Sequence, residues 1–281
     1  MTKGPNALFC SVLGLSACVS PAVEVGTGEG STSTAPDPTS TSATSSSSGL
    51  APAEGSTSTT TQHDESGSSS SGEVVHGPGC EPPPPCDRGV YEGAVRIESS
   101  DQIAEFAGYT AFSQGLEVLG TDLECLDFLG CLEEVEQEIR IFGNPVLRST
   151  EGLSAVERVG GSGEPAPWWP VGSIVVGENP GLETLGGFTR IERIEAALVV
   201  DNNASLQSIT GFTNVQVVTE LVVRFNPALD SLQGLHDLLA IGGECQITNN
   251  AGLCVSEAFE VCGDLKQGPF GGNTQNNIDD C

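Results

Sequence analysis

Apolar residues in the second half of the chain alternate across a short stretch, stop at an asparagine, and then return at every third position. Ile174, Val176, Asn179, Leu182 and Leu185 are followed by Leu198, Val200, Asn203, Leu206 and Ile209, and then by Leu221, Val223, Asn226, Leu229 and Leu232. The spacing of three continues through Phe188, Ile191 and Ile194 in the first unit and through Phe212, Val215 and Val218 in the second. Alternation predicts a short strand, whereas a spacing of three fits neither a helix stripe nor a long flat strand. It predicts brief extended or 3-10 steps, each turning one residue inward. The asparagines at 179, 203, 226 and 250 follow one another at intervals of 24, 23 and 24 residues. A fixed period of this size with one strand per unit predicts a solenoid, in which each unit buries its apolar face against the next.

The same template predicts residues ahead of those that define it. It places Ile139, Ile141, Asn144, Leu147, Leu153, Val156 and Val159 in an earlier unit, with only Thr150 off the pattern. Before that it places Leu116, Val118, Leu123, Leu126, Leu129, Leu132 and Val135, with one residue deleted in the turn, and then Val95, Ile97, Ile103, Phe106, Tyr109 and Phe112. About seven coils are expected between Val95 and Leu253, the last opening with Cys245, Ile247 and Asn250. Asn144, Asn179, Asn203, Asn226 and Asn250 are read as a structural ladder. A sharp turn after each strand leaves inward main-chain groups away from water, and an Asn side chain carries both a donor and an acceptor to satisfy them. Pro145, Pro180 and Pro227 follow three of these asparagines, where a fixed φ suits a turn.

The strand, the N-P-x-L turn, the G-L/F-x-x-L/V run and Gly242-Gly243 resemble the receptor L domain, the leucine-rich right-handed β-helix of insulin-type and epidermal-growth-factor-type receptors. Asn249 to Cys254 resembles that family's closing coil, and Cys131 stands ahead of the Ile139 strand as a cysteine does in its opening coil. The resemblance implies a fold and a binding habit. It does not imply signalling, since no furin-like module, transmembrane helix or kinase follows the matched region.

Lys3, the apolar run from Ala7 to Gly14 and the tetrapeptide Leu15-Ser16-Ala17-Cys18 have the layout of a signal peptide. The tetrapeptide resembles the lipobox of bacterial lipoproteins, which implies cleavage before Cys18, lipid on Cys18 and a membrane as partner. An ordinary signal peptide cleaved nearby is the alternative. Residue 19 is Val rather than Asp, so no inner-membrane retention signal is visible, and the outer membrane or cell surface is the expected location in a Gram-negative cell. Residues 18–79 are rich in Ser, Thr, Gly and Pro and hold too few large apolar side chains to offset ordering entropy. They are expected to form a disordered stalk with a reach of roughly 40–45 Å. The resulting order is a signal peptide at 1–17, the stalk at 18–79, an N-terminal cysteine cap at 80–94, the solenoid at 95–253 and a C-terminal cysteine-rich cap at 254–281.

Of the 10 cysteines, Cys10 and Cys18 belong to the signal region, leaving Cys80, Cys86, Cys125, Cys131, Cys245, Cys254, Cys262 and Cys281. An even number in an exported chain predicts disulfides capping the two ends. The preferred grouping is Cys80 with Cys86, Cys125 with Cys131, and a closing set of the other four, among 105 formal pairings. Zinc is disfavoured because no C-x-x-C pair is present.

A formal charge of −28 with lysine only at Lys3 and Lys266 excludes nucleic acid and anionic headgroups as natural partners. The histidines His63 and His76 fall in the stalk and His236 lies between coils, so no metal or general-base pair is expected, and no cofactor. No G-x-S-x-G or H-E-x-x-H motif occurs. The acids Asp122 and Glu124, and Glu133, Glu134 and Glu136, take outward positions of the repeat, where solvation is the default. One interval departs from the period: Asn144 to Asn179 is 35 residues. The excess runs from Gly160 to Gly172 and carries both tryptophans, Trp168 and Trp169. Tryptophan is enriched at binding hot spots, and an insertion can loop out of a stack without disturbing it. The rings could instead fold back over an apolar edge. The expected function is a non-enzymatic, lipid-anchored surface module binding a protein or glycan through edge loops. A structural or adhesive envelope protein and a glycan-active envelope enzyme are the alternatives.

Overall fold

The computed structural model describes residues 77–161, 170–263, 272–279 and 281. The expected signal peptide, Cys18 and almost all of the expected stalk lie outside them, as do Trp168 and Trp169. The described chain is mostly β, with parallel sheets and little helix.

The largest sheet has nine strands. Along it lie Val95–Ile97, Leu116–Leu119, Ile139–Phe142, Ile174–Gly177, Arg193–Asp201, Val217–Arg224, Cys245–Thr248 and Gly272–Asn273, with Ala240–Ile241 attached beside the Val217–Arg224 strand. Val95, Leu116, Ile139, Ile174, Leu198, Leu221 and Cys245 pair in one continuous rung. Ile97, Val118, Ile141, Val176, Val200, Val223 and Ile247 form a second. These residues are at most 1% exposed, so the alternation in the sequence is the alternation between core and outer face. On the other face Val175, Ala197, Val199 and Val222 make a small separate apolar cluster.

A second ladder of four parallel strands joins Val90–Tyr91, Ala111–Phe112, Glu134–Val135 and Arg158–Val159. Later units place the corresponding residues at the start of long strands, so that Ile194 pairs with Val218 and Val218 with Ile241. Between the ladders the chain runs either as a short parallel pair, Thr184–Leu185 with Ser208–Ile209, or as single 3-10 turns at Asp127–Leu129, Glu151–Leu153 and Gln233–Leu235. This is the origin of the spacing of three. Leu182, Leu185, Phe188 and Ile191 are wholly buried, as are their counterparts Leu206, Ile209, Phe212 and Val215. Each such side chain contributes about 1.5–3 kcal/mol by leaving water.

Backbones in neighbouring units approach so closely that the recurring G-L and G-F pairs admit no larger residue. A Cβ on Gly152 would lie 1.9 Å from the Leu126 carbonyl oxygen, and one on Gly234 would lie 1.8 Å from that of Gly211. Thr150, the polar residue off the pattern, is buried and donates its hydroxyl to the Gly186 carbonyl 3.1 Å away.

The asparagines are 0% exposed and hydrogen-bonded in series. Asn203 Oδ1 accepts from the Asn179 backbone N–H at 3.1 Å and from Asn179 Nδ2 at 3.2 Å, while Asn203 Nδ2 donates to the Val176 carbonyl at 3.1 Å. Asn226 repeats this on Asn203 and Val200, and Asn250 on Asn226 and Val223. The series runs one step past each end of the asparagine repeat. Thr121 donates both its N–H and its hydroxyl to Asn144 Oδ1, at 2.9 and 2.8 Å. At the other end Asn277 accepts from the Asn250 N–H at 3.1 Å and donates to the Ile247 carbonyl at 2.8 Å. Residues assigned to the C-terminal cap therefore supply a further rung, with Gly272 paired to Cys245.

All eight expected cysteines form disulfides, but the pairing at the N-terminal end differs from the preferred grouping. The bonds are Cys80–Cys125, Cys86–Cys131, Cys245–Cys262 and Cys254–Cys281. Pro82, Pro83, Pro84 and Pro85 separate Cys80 from Cys86. A polyproline segment rises about 3.1 Å per residue, so six steps carry the two α-carbons far beyond the roughly 7 Å that a disulfide spans. Segment 77–86 instead lies alongside residues 123–131. The Pro78 carbonyl accepts from Glu124 N–H and the Gly79 carbonyl from Asp127 N–H, each at 2.8 Å, and the two cysteine bonds staple the segments in register. Tyr91 meets Phe106, Tyr109 and Phe112 edge-on beside this cap, at centroid distances of 5.4, 5.3 and 6.1 Å. At the far end the helix Val255–Cys262 presses Ala258, Val261 and Cys262 onto the last rung.

Replacing Asn203 by Leu removes the acceptor for the Asn179 N–H and the donor to the Val176 carbonyl, at about 1–3 kcal/mol for each buried group left unpaired. The equivalent change at the partly exposed Asn277 is expected to cost clearly less. Denaturant melts of the two variants compare them directly, and equal losses would show that the asparagine series does not carry the stability assigned to it.

Candidate functional site

The unit between Asn144 and Asn179 holds its extra residues without losing register. Ile139 still pairs with Ile174, and Asn144 N–H still reaches Asn179 Oδ1 at 3.0 Å across 35 residues. The chain departs at Gly160 and returns at Gly172, both at φ +88°. These two glycines touch, since a Cβ on Gly160 would sit 2.7 Å from the Gly172 α-carbon. Only residues without a side chain fit such a left-handed crossing.

The excursion interrupts the second ladder. Its four-stranded part ends at Arg158–Val159, while Arg193 and Ile194 of the following unit pair onward with Val217 and Val218. Gly172, on the returning chain, is wedged between Val159 and Glu195, with its Cβ direction 2.9 Å from Glu195 Cβ. Beside it opens a cleft of about 970 Å³ lined by Glu157, Arg158, Gly161 and Val171 on one side and by Arg190, Glu192, Arg193, Glu195 and Asn214 on the other. The strands fix the backbone of both walls, and the interrupted ladder leaves the space between them.

The electrostatics of this cleft are unusual for so acidic a chain. Three of the chain's 10 Lys and Arg residues line it, each facing carboxylates. Arg158 is 2.8 Å from Glu134 and 3.1 Å from Glu136, Arg190 is 3.0 Å from Glu157, and Arg193 is 3.8 Å from Glu195. The hydrogen bond to Glu134 is the largest influence holding the Arg158 guanidinium firmly protonated. Alternating cations and carboxylates give a lining rich in both donors and acceptors, suited to a polar ligand of low net charge.

Three of the acids singled out in the sequence, Asp122, Glu134 and Glu136, have side-chain partners that explain them. Asp122 accepts from the backbone N–H and hydroxyl of Ser100, both at 2.7 Å, and those bonds lower its pKa. Glu134 and Glu136 hold Arg158, and His236 lies 3.6 Å from Glu257 at the C-terminal end. Among the described residues no group of His, Cys, Asp or Glu is arranged to hold a metal ion, and no helix is long and apolar enough to cross a membrane. Sequence reasoning identified the insertion but not the arginines, because Arg158, Arg190 and Arg193 meet only after the units stack. The chain matches no protein-family model, no curated protein and no solved structure.

Two acids outside the cleft are displaced upward in pKa. Glu138 is 7% exposed on the outer face of the large sheet, and burial, then the negative charge of Glu117, raises its carboxyl above the ordinary 4.5. Burial and then Glu244 do the same for Glu220. A carboxyl whose pKa is raised on folding keeps its proton to higher pH in the native state. Its favourable contribution is therefore present in acid and is lost as pH climbs through the raised value. Glu138→Gln is expected to melt higher than the parent protein at pH 7.5, with the difference closing as the pH falls towards 4.5. A difference that stays constant across that range, followed by circular dichroism, would contradict the assignment.

Proposed function

We propose that this protein is a non-enzymatic binding module held at the cell surface by lipid on Cys18. Its described part is read as a right-handed, receptor-L-like β-helix whose edge loops recognise a protein or glycan. The observation that carries this reading is the insertion between Gly160 and Gly172, which opens a polar cleft while leaving the register on both sides intact. Such an arrangement separates scaffold from recognition, since residues around the cleft can change without altering the stack. Three features support the β-helix: the parallel pairing of successive units, the buried asparagine series, and caps at both ends. Four disulfides fit an oxidising compartment, in keeping with export. The lipobox-like Leu15-Ser16-Ala17-Cys18 supports anchoring, and the formal charge of −28 favours solubility at a crowded surface.

The test is metabolic labelling of whole cells with a palmitate analogue, comparing the natural chain with Cys18→Ser, followed by protease shaving of intact cells. The expected result is label that depends on Cys18 and release of the β-rich part by shaving. Unlabelled protein free in the medium would remove the anchor and leave a soluble module. Recognition through the inserted loop predicts that Trp168→Ala and Trp169→Ala lose the partner, whereas an adhesive protein without a discrete ligand tolerates both.

A further inference from the structure

Most strands of the large sheet, though not Val95–Ile97 or Ala240–Ile241, are followed by a residue with left-handed backbone, placed just before the ladder position. Gly143, Glu178, Asn202, Phe225, Asn249 and Asn276 take φ of +71°, 54°, 58°, 55°, 59° and 60°. Glycine and asparagine accept this conformation readily, but a bulky aromatic residue does not. Phe225 is therefore the residue that its own backbone suits least.

Strain of this kind is ordinarily balanced by packing, and two other phenylalanines show how. Phe188 and Phe212 also have positive φ, 52° and 62°, but both are 0% exposed and stack at 5.0 Å with planes 7° apart in the core. Phe225 has no such stack in the core, since it is 48% exposed. An aromatic ring held outward at a strained position contributes little to the fold, and strain without a packing return marks functional sites.

The neighbours of Phe225 show what chemistry it serves. The left-handed residues sit one per strand, their N–H groups continuing the ladder from Glu178 to the Asp201 carbonyl, from Asn202 to Arg224 and from Phe225 to Thr248. Adjacent positions are thus about 4.8 Å apart along the stack. Asn202 lies on one side of Phe225 and Asn249 on the other. Asn276 Nδ2 donates to Asn249 Oδ1 at 2.7 Å, and Asn249 Nδ2 to Thr248 Oγ1 at 3.3 Å, which fixes the amides of Asn249 and Asn276 before any ligand arrives. The Arg224 guanidinium is 5.8 Å from the Phe225 ring centre and 3.0 Å from Asp201.

We propose that this row, centred on Phe225 with Asn202, Asn249 and the Arg224–Asp201 pair, binds a neutral oligosaccharide lying along the stack. The exposed ring takes the apolar C–H face of one sugar, and the amides, each donor and acceptor, meet hydroxyls that are also both. A row of groups repeating at strand spacing suits a polymer of similar repeat. A chain of charge −28 opposes anionic saccharides, so the ligand is a neutral one. This inference rests on the binding-module reading and assigns that module a ligand class and a site apart from the cleft.

The test titrates the full-length protein with cellohexaose, maltohexaose and chitohexaose by calorimetry, alongside Phe225→Asn and Phe225→Tyr, and records thermal melts of all three proteins. At least one hexasaccharide is expected to bind, Phe225→Asn to weaken it tenfold or more, and Phe225→Tyr to retain it. Phe225→Asn is also expected to melt about 2–4 °C higher, because asparagine relieves the left-handed strain. A residue with a packing role would instead lower the melting temperature, and that result overturns the proposal. So does the absence of binding to all three sugars. Sugar binding that survives Phe225→Asn overturns this site but leaves the binding module standing. Capture of a protein ligand equally by parent and variant does the same.

Discussion

A chain that bends sharply every few residues around a dry core turns main-chain donors and acceptors inward at each bend, where water cannot reach them. The rest of this structure depends on how those groups are satisfied. The solution here is one side chain per unit, the asparagine whose oxygen accepts a hydrogen bond from the N–H of the unit before and whose amide donates one to that unit's strand. Because each asparagine serves the main chain of its neighbour, no unit is complete alone. Cooperativity along the stack is thus built into the hydrogen bonding as well as the packing. The close glycine contacts act in the same direction, since they set the distance between units at which these bonds form.

A repeat of this kind has two ends that expose core, and the two are closed differently. The N-terminal end is covered by an aromatic cluster around Tyr91 and by a proline-stiffened segment bonded twice to the second unit. The C-terminal end is covered by one helix and a last short strand, tied by Cys245–Cys262 and Cys254–Cys281. Both caps lend covalent restraint to the places where a rung has a neighbour on one side only.

Much of this was legible in the chain because apolar periodicity and core geometry are the same fact seen twice. The alternation of Ile174 and Val176, the spacing from Leu182 to Ile194, and the asparagine intervals translate directly into rungs, corners and ladder. The misread cysteine grouping took neighbours in sequence as neighbours in space. Cys80 and Cys86 are close along the chain, but the proline run between them holds them apart. Thr121 escaped notice because its hydroxyl performs part of the asparagine's work with a different side chain. Asn277 lies beyond the last obvious apolar pattern. The arginines of the cleft come from two units brought together by the stack. The column containing Phe225 emerges only when the residue before each asparagine is compared, and its meaning depends on backbone angles that composition does not reveal.

The two N-terminal disulfides have a mechanical consequence. Tension applied to the chain upstream of Cys80 reaches the fold first at a residue covalently joined to Cys125, and next at Cys86, joined to Cys131. The pull therefore bypasses the first unit, whose short strands Val90–Tyr91 and Val95–Ile97 have a paired neighbour on one side only. Load enters the second unit, flanked on both sides by hydrogen-bonded neighbours, so rupture requires shearing a sheet rather than unzipping its edge. A molecule tugged from its amino terminus is gripped one storey in from its weakest wall.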